Sequence, residues 1–67
     1  MKTVQLNGEP RHLANAHTVQ DLITELALGN QRYAIEINGT LVPRSTYPEH
    51  PLEANDQIEI VQAIGGG

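Results

Sequence analysis

Residues 58–67 read IEIVQAIGGG, a β-branched apolar pattern that gives way to three glycines. Isoleucine and valine favour strands, whereas glycine is a poor end for a strand because it loses more conformational freedom on ordering than any other residue. A backbone without Cβ atoms can instead enter a slot too narrow for side chains. The stretch therefore predicts a last core strand over residues 58–63 and a flexible tail over residues 64–67.

The size and composition of the chain restrict its structural class. Its 67 residues make one domain at most, near the lower limit for folding without a covalent or metal cross-link. There is no cysteine, so disulfides and thiolate metal sites are excluded, and the 39% of hydrophobic residues must supply a globular core. We expect one folded domain over residues 1–63, with the tail outside it.

Charge and hydropathy argue against several classes of partner. Four basic residues against eight acidic ones give a net charge of −4, whereas nucleic-acid binding favours a basic patch. This acidity fits a protein partner with a positive docking surface. The sequence has neither an apolar signal segment nor a long apolar span, so we expect no membrane association and a cytoplasmic protein. We also expect the free protein to be a monomer.

Two asparagine–glycine pairs predict tight hairpin turns. Asn7-Gly8 follows an alternating strand pattern over residues 4–6, and Pro10 places the returning strand at a sheet edge. Asn38-Gly39 follows a third strand pattern over residues 33–37. The N-terminal half of the chain therefore opens with a hairpin, and a second hairpin begins near its middle.

One segment between the hairpins has helical periodicity. Thr18 is a good N-cap, and Asp21 adds a negative charge to the first turn, where the helix dipole favours it. Gly29-Asn30 supplies a left-handed stop. The apolar face of this helix, of roughly three turns, consists of Val19, Leu22, Ile23 and Leu26.

The segment after the second hairpin turn is irregular. A short fourth strand at residues 41–42 ends at Pro43, and we expect a short helical turn over residues 44–47 because prolines forbid a longer element. Tyr47 and Leu52 are expected to pin this loop to the core, and Asn55-Asp56 turns into the last strand. One helix against one face of a four- or five-stranded mixed sheet predicts a two-layer α+β fold.

No residue pattern for catalysis within the chain is present. His12, His17 and His50 lack the i, i+4 spacing of helical metal ligands and are expected to lie exposed in loops or at strand edges. The serine and threonine hydroxyls show no sequence sign of a paired base. The sequence therefore predicts that the protein is not an enzyme.

The remaining reactive group is the α-carboxylate of Gly67. With a pKa of about 3.3–3.7 it is ionised at neutral pH and inert as an electrophile, so a partner must activate it, for example as an acyl adenylate. Four residues from Ile64 onward reach at most ~14 Å, enough to enter a neighbour's active site. Ile64, Gly65 and Gly66 would then thread the slot.

The folded domain must also dock, because ordering the tail costs roughly 4–8 kcal/mol at about 1–2 kcal/mol per residue. If Ile58 and Ile60 face the helix, strand alternation sends Val61 and Ala63 to the opposite face, beside Ala34. Burial of Val61 against a partner would contribute about 1.5–3 kcal/mol. A glycine end alone is also typical of a frayed terminus, and one exposed valine is ordinary.

A compact mixed fold whose last core strand leads directly into a glycine end is a more specific combination. In this combination the chain resembles the ubiquitin-like β-grasp family and, more closely, the sulfur carriers of thiamin biosynthesis, the ThiS family. The resemblance covers essentially the whole chain, and its most diagnostic parts are Val42-Pro43-Arg44 and Ile64-Gly65-Gly66-Gly67. Family members usually place Gly-Asp before the last strand, where this chain has Asn55-Asp56. Asparagine also tolerates the left-handed conformation, so we expect the turn to persist.

The resemblance implies a sulfur-transfer cycle. An E1-like (ubiquitin-activating-like) enzyme would use ATP and magnesium to adenylate the Gly67 carboxylate. Sulfur drawn from cysteine by a cysteine desulfurase would replace the AMP and leave a thiocarboxylate, which thiazole synthase would use. The chain itself would hold no permanent cofactor. Three alternatives remain open: a small subunit of molybdopterin synthase, a β-grasp protein modifier, and a binding module whose tail has no role.

Overall fold

The computed structural model describes residues 2–28 and 32–62. Within them, five strands form one mixed sheet with the order β2-β1-β5-β3-β4. The central strands β1 and β5 run parallel, and the other neighbours are antiparallel. One α-helix, α1, covers one face. The elements are β1 (Lys2–Leu6), β2 (Glu9–Leu13), α1 (Val19–Leu26), β3 (Tyr33–Ile37), β4 (Thr40–Leu41), a 3₁₀ turn (Arg44–Thr46) and β5 (Gln57–Gln62). The predicted α+β architecture and the edge position of the Pro10 strand are confirmed.

Both predicted asparagine–glycine turns form, and their asparagines also bind the last strand. Asn7 and Asn38 have φ angles of 51° and 53°, and the glycine after each is also at positive φ, as a tight hairpin requires. The side-chain oxygen of Asn7 accepts the backbone N–H of Ile60 at 2.8 Å, and that of Asn38 accepts the N–H of Gln57 at 3.0 Å. Each hairpin is thereby attached to β5.

The helix begins as predicted and ends early. Thr18 and Asp21 form a reciprocal capping box at its start. The helix has eight residues, about two turns rather than three, and Ala27 adopts the left-handed conformation at φ 56°. That conformation costs on the order of 1–3 kcal/mol in a residue other than glycine. It lets Leu28 turn back and pack against the core. The predicted stop at Gly29-Asn30 lies outside the described residues.

We expect Asp21→Asn to remove part of the acid dependence of stability. The Asp21 carboxylate accepts the backbone N–H groups of His17 at 2.9 Å and Thr18 at 3.1 Å, and these hydrogen bonds hold the pKa of Asp21 below its ordinary value of 3.8. Because the pKa of Asp21 is lowered in the folded state, this stabilisation is complete above the pKa of the unfolded state. It is lost as pH falls through the pKa of the folded state. Thermal melts from neutral pH into this acid range test it. Glu49→Gln, at an exposed loop position, is the matched control, and equal pH profiles for the two variants would contradict the prediction.

The loop between β4 and β5 is fixed to the core at two points, as predicted. Tyr47 is 4% exposed and Leu52 is fully buried. Asn55 takes the left-handed conformation at φ 71°, so the turn expected there is present. The buried carboxylate of Asp56 accepts the Asn38 side-chain amide at 3.1 Å and the backbone N–H of Glu53 at 2.9 Å. These bonds fix the direction in which β5 starts, and therefore which of its faces meets the helix.

Candidate docking surface

Strand β5 has a buried face and an exposed face. Ile58 is 1% exposed, whereas Val61 is 59% exposed and lies directly opposite Ala34 on β3. The predicted alternation and the Val61–Ala34 pair are therefore confirmed as geometry. Among the described residues, the large hydrophobic side chains that are exposed are Val61 and Leu41, the latter at 61%. Leu41 is opposite Glu36 on β3, and its exposure was not predicted, since a two-residue strand has no alternation to read.

Ile60 differs from the prediction in degree. It faces the core side, as expected, but it is only partly buried. The reason is that β1 ends at Leu6, which pairs with Ile58, so β5 continues beyond its parallel neighbour. The backbone N–H of Ile60 is therefore satisfied by the Asn7 side chain rather than by a strand partner.

A stack of three side chains flanks the Val61–Ala34 pair. The Arg44 guanidinium lies 4.7 Å from the centroid of the Tyr33 ring and donates to the Tyr33 carbonyl oxygen at 3.1 Å. Tyr33 in turn stacks on Tyr47, with 6.4 Å between ring centroids and 14° between planes. Burial raises the pKa of the Tyr47 hydroxyl. The stack fixes the Arg44 cation at the surface in the free protein, so less side-chain entropy remains to be lost when a partner binds it.

These residues enclose a shallow depression where the chain leaves the sheet. Its volume is about 430 Å³, and Val61, Ala34, Tyr33, Arg44 and Gln62 are among the residues that line it. Gln62, the last residue of β5, pairs with Tyr33, the first residue of β3. The predicted tail residues Ile64, Gly65, Gly66 and Gly67, together with Ala63, lie outside the described residues. The depression is thus adjacent to the point from which the tail continues.

The histidines do not converge on a site in the part of the chain that the structure describes. His12 is exposed on β2, where its Nδ1 lies 2.8 Å from the Thr3 hydroxyl oxygen. His17 precedes the helix, and His50 accepts the Val19 N–H through its backbone oxygen at 2.9 Å. Over residues 2–28 and 32–62, no three His, Asp or Glu residues are placed to hold a metal ion. No helix in these ranges is both long and apolar enough to cross a membrane.

The sequence matches the family model described as "ThiS family" over residues 4–67. The chain belongs to the ThiS family. The sulfur carrier protein ThiS of Bacillus subtilis is 35% identical over 65 residues, covering 96% of this chain and 98% of that protein. A thiazole synthase of Paramagnetospirillum magneticum is 40% identical over 67 residues, which are all of this chain but only 20% of that protein. The ThiS-family chain thus spans about a fifth of that relative.

A solved structure supports the fold of this ThiS-family chain. The crystal structure of a thiamine biosynthesis protein, ThiS, from Geobacter metallireducens superposes with a TM-score of 0.81 at 24% sequence identity. The match covers 97% of this chain and 99% of the other. The ubiquitin-like β-grasp fold that the sequence predicted is therefore confirmed.

Proposed function

We propose that this protein is a sulfur carrier of thiamin biosynthesis and that Gly67 carries the sulfur as a terminal thiocarboxylate. The observation that carries the proposal is the ThiS-family match, which runs through the glycines to residue 67. It is supported by a curated ThiS sulfur carrier that aligns over nearly its full length. In this role the protein is a co-substrate on which other enzymes act.

Activation of Gly67 follows from the chemistry of a carboxylate. The Gly67 oxygen would attack the α-phosphate of ATP in an E1-like adenylyltransferase that uses magnesium, and pyrophosphate would leave. The acyl adenylate is electrophilic, so a sulfur nucleophile can displace AMP and leave the thiocarboxylate. With no cysteine in the chain, sulfur cannot be carried as a persulfide of the protein itself. A cysteine desulfurase would supply the sulfur as a persulfide. When its terminal sulfur displaces AMP an acyl disulfide forms, and a thiol, such as the excess free cysteine, would reduce that disulfide and release the thiocarboxylate. We place the cycle in the cytoplasm.

The docking surface and the tail would make different contacts with a partner. Ile64, Gly65 and Gly66 would thread the partner's slot, at an ordering cost that the tail alone does not offset. Val61, Ala34 and Ala63 would contribute apolar contact on the exposed face of the sheet. The exposure of Val61 and its position opposite Ala34 support this assignment. Arg44, held on Tyr33, would add a preorganised cation at the rim.

Thiazole synthase is the proposed sulfur acceptor. The thiazole synthase of Paramagnetospirillum magneticum contains a segment similar to this whole chain. Joining a carrier to its acceptor in one polypeptide raises their effective concentration. That arrangement favours thiazole synthase as the acceptor for this chain.

Reconstitution tests the proposal. Incubation of the protein with the activating enzyme, a cysteine desulfurase, ATP, magnesium and cysteine should add the mass of one oxygen-to-sulfur exchange. The product should then support thiazole phosphate formation by thiazole synthase, and omission of ATP should prevent both steps. If the thiocarboxylate forms but only molybdopterin synthase can use it, the thiamin assignment is wrong while the carrier chemistry stands. If no thiocarboxylate forms, the carrier role is contradicted.

A further inference from the structure

The apolar core has an open end. Where β5 runs past the end of β1, a groove of about 600 Å³ separates the second half of β5 from the C-terminal end of α1. Its walls are formed largely by Leu6, Leu26, Leu28 and Ile60. This groove is distinct from the depression around Val61 and Arg44, although Val61 and Gln62 border both.

The groove is lined by apolar side chains at the edge of the core. Its four apolar wall residues pack against the core but are only partly buried. Their neighbours Val4, Leu22 and Ile58, one turn or two strand positions away, are at most 1% exposed. A further apolar side chain that covers this exposed apolar surface would remove it from water and so stabilise the folded state.

The residues outside the described ranges offer few apolar groups for this purpose. They are residues 1, 29–31 and 63–67, and their large apolar side chains are Met1 and Ile64. Met1 adjoins Lys2, which lies at the opposite end of β1 from Leu6. At the rise of a strand, Lys2 and Leu6 are about 13 Å apart. Residues 29–31 are glycine, asparagine and glutamine. Ile64 remains.

Chain length and strand alternation would both allow Ile64 to reach the groove. Gln62 lines the groove, and two residues reach at most ~7 Å. The core-facing positions of β5 are Ile58 and Ile60, so a chain that continued extended past Gln62 with the same period of two would bring residue 64 to the core side. We propose that in the free protein the Ile64 side chain occupies this groove, covering Leu26 and Leu28, while residues 65–67 continue beyond it.

Seating of Ile64 would give the tail a defined origin on the domain. The burial of one side chain opposes the entropy lost by ordering two residues, so the seated and released forms would interconvert. If the tail enters a partner as proposed above, Ile64 must leave the groove for each visit. That consequence rests on the proposed function, whereas the seating itself does not.

Methyl-labelled protein of full length tests the seating without any partner. We expect nuclear Overhauser effects between the Ile64 δ1 methyl and the methyls of Leu26 and Leu28. Ile64→Ala should abolish them and shift the Leu26 and Leu28 resonances, leaving the buried Leu52 unshifted as evidence of an intact fold. Leu41→Ala, which removes an exposed apolar side chain elsewhere, is the matched control and should leave the groove resonances unchanged.

Two outcomes would overturn the proposal. Absence of these Overhauser effects together with unshifted Leu26 and Leu28 methyls in Ile64→Ala would show that Ile64 does not occupy the groove. Shifts that grow with protein concentration would assign the groove to a second copy of the chain instead. Because the experiment uses the free protein, a failure of reconstitution with the enzymes does not change its result.

Discussion

Deletion of Gly67 should reduce ATP–pyrophosphate exchange by the activating enzyme to background. The deletion leaves a carboxylate on Gly66, but it withdraws that group from the reacting position by one residue, up to ~3.6 Å. A misplacement of 1 Å at a reacting centre can cost roughly 100-fold in rate, so a larger displacement should leave no measurable exchange. The assay is pyrophosphate exchange with the purified activating enzyme.

The fold should be unaffected by this deletion. The helix, strands and core that the structure describes do not include Gly67, so thermal melts of the truncated and full chains should coincide. Glu49→Gln in the full chain is the matched control, because Glu49 is exposed in the loop between β4 and β5, and it should exchange normally. Normal exchange by the truncated protein would contradict the assignment of Gly67 as the activated residue.

The fold was predictable where one residue type determines the local backbone. Asn7-Gly8 and Asn38-Gly39 specify their turns because asparagine and glycine adopt positive φ at low cost. Thr18 and Asp21 specify the start of α1 because the Thr18 hydroxyl accepts the Asp21 backbone N–H while the Asp21 carboxylate accepts the N–H of Thr18. These signals depend on neighbours in sequence, so they are visible without the tertiary structure.

Two features depended on tertiary contacts that the sequence does not display. The end of α1 is set by Leu28, whose return to the core makes a left-handed Ala27 acceptable two residues before the expected glycine. The partial exposure of Ile60 is set by where β1 ends. Alternation gives Ile58 and Ile60 the same direction, but only the register shows that β1 ends before it reaches Ile60, which is left with β3 on one side alone.

The candidate surface was predictable in part for the same reason. Val61 and Ala34 follow from alternation and an antiparallel pairing of β3 with β5. The place of Arg44 does not, because its contact with Tyr33 joins residues eleven positions apart in sequence. The Val42-Pro43-Arg44 motif was visible, but no local pattern indicates that a tyrosine on β3 contacts its arginine.

Aspartate substitutions on the two faces of β5 should have very different effects on the stability of the fold. Ile58→Asp places a carboxylate at a position that is 1% exposed and surrounded by the apolar core. An unpaired buried charge costs several kcal/mol, a large share of the roughly 5–15 kcal/mol that stabilises a folded domain. We expect this variant to be unfolded, and Ile60→Asp, at a half-buried position, to be destabilised less.

Val61→Asp should fold and fail at docking. Val61 is 59% exposed, so an aspartate there stays hydrated, and its lower strand propensity costs at most about 1 kcal/mol. If the Val61 surface is buried against the activating enzyme, losing about 1.5–3 kcal/mol of apolar contact should weaken binding roughly 10- to 100-fold. Circular dichroism melts and a binding titration with the activating enzyme measure the two effects. Equal unfolding by Ile58→Asp and Val61→Asp would show that the assigned register of β5 is wrong. Unchanged binding by a folded Val61→Asp would place the docking surface on another face of the domain, because no apolar contact at this position could then contribute to the complex.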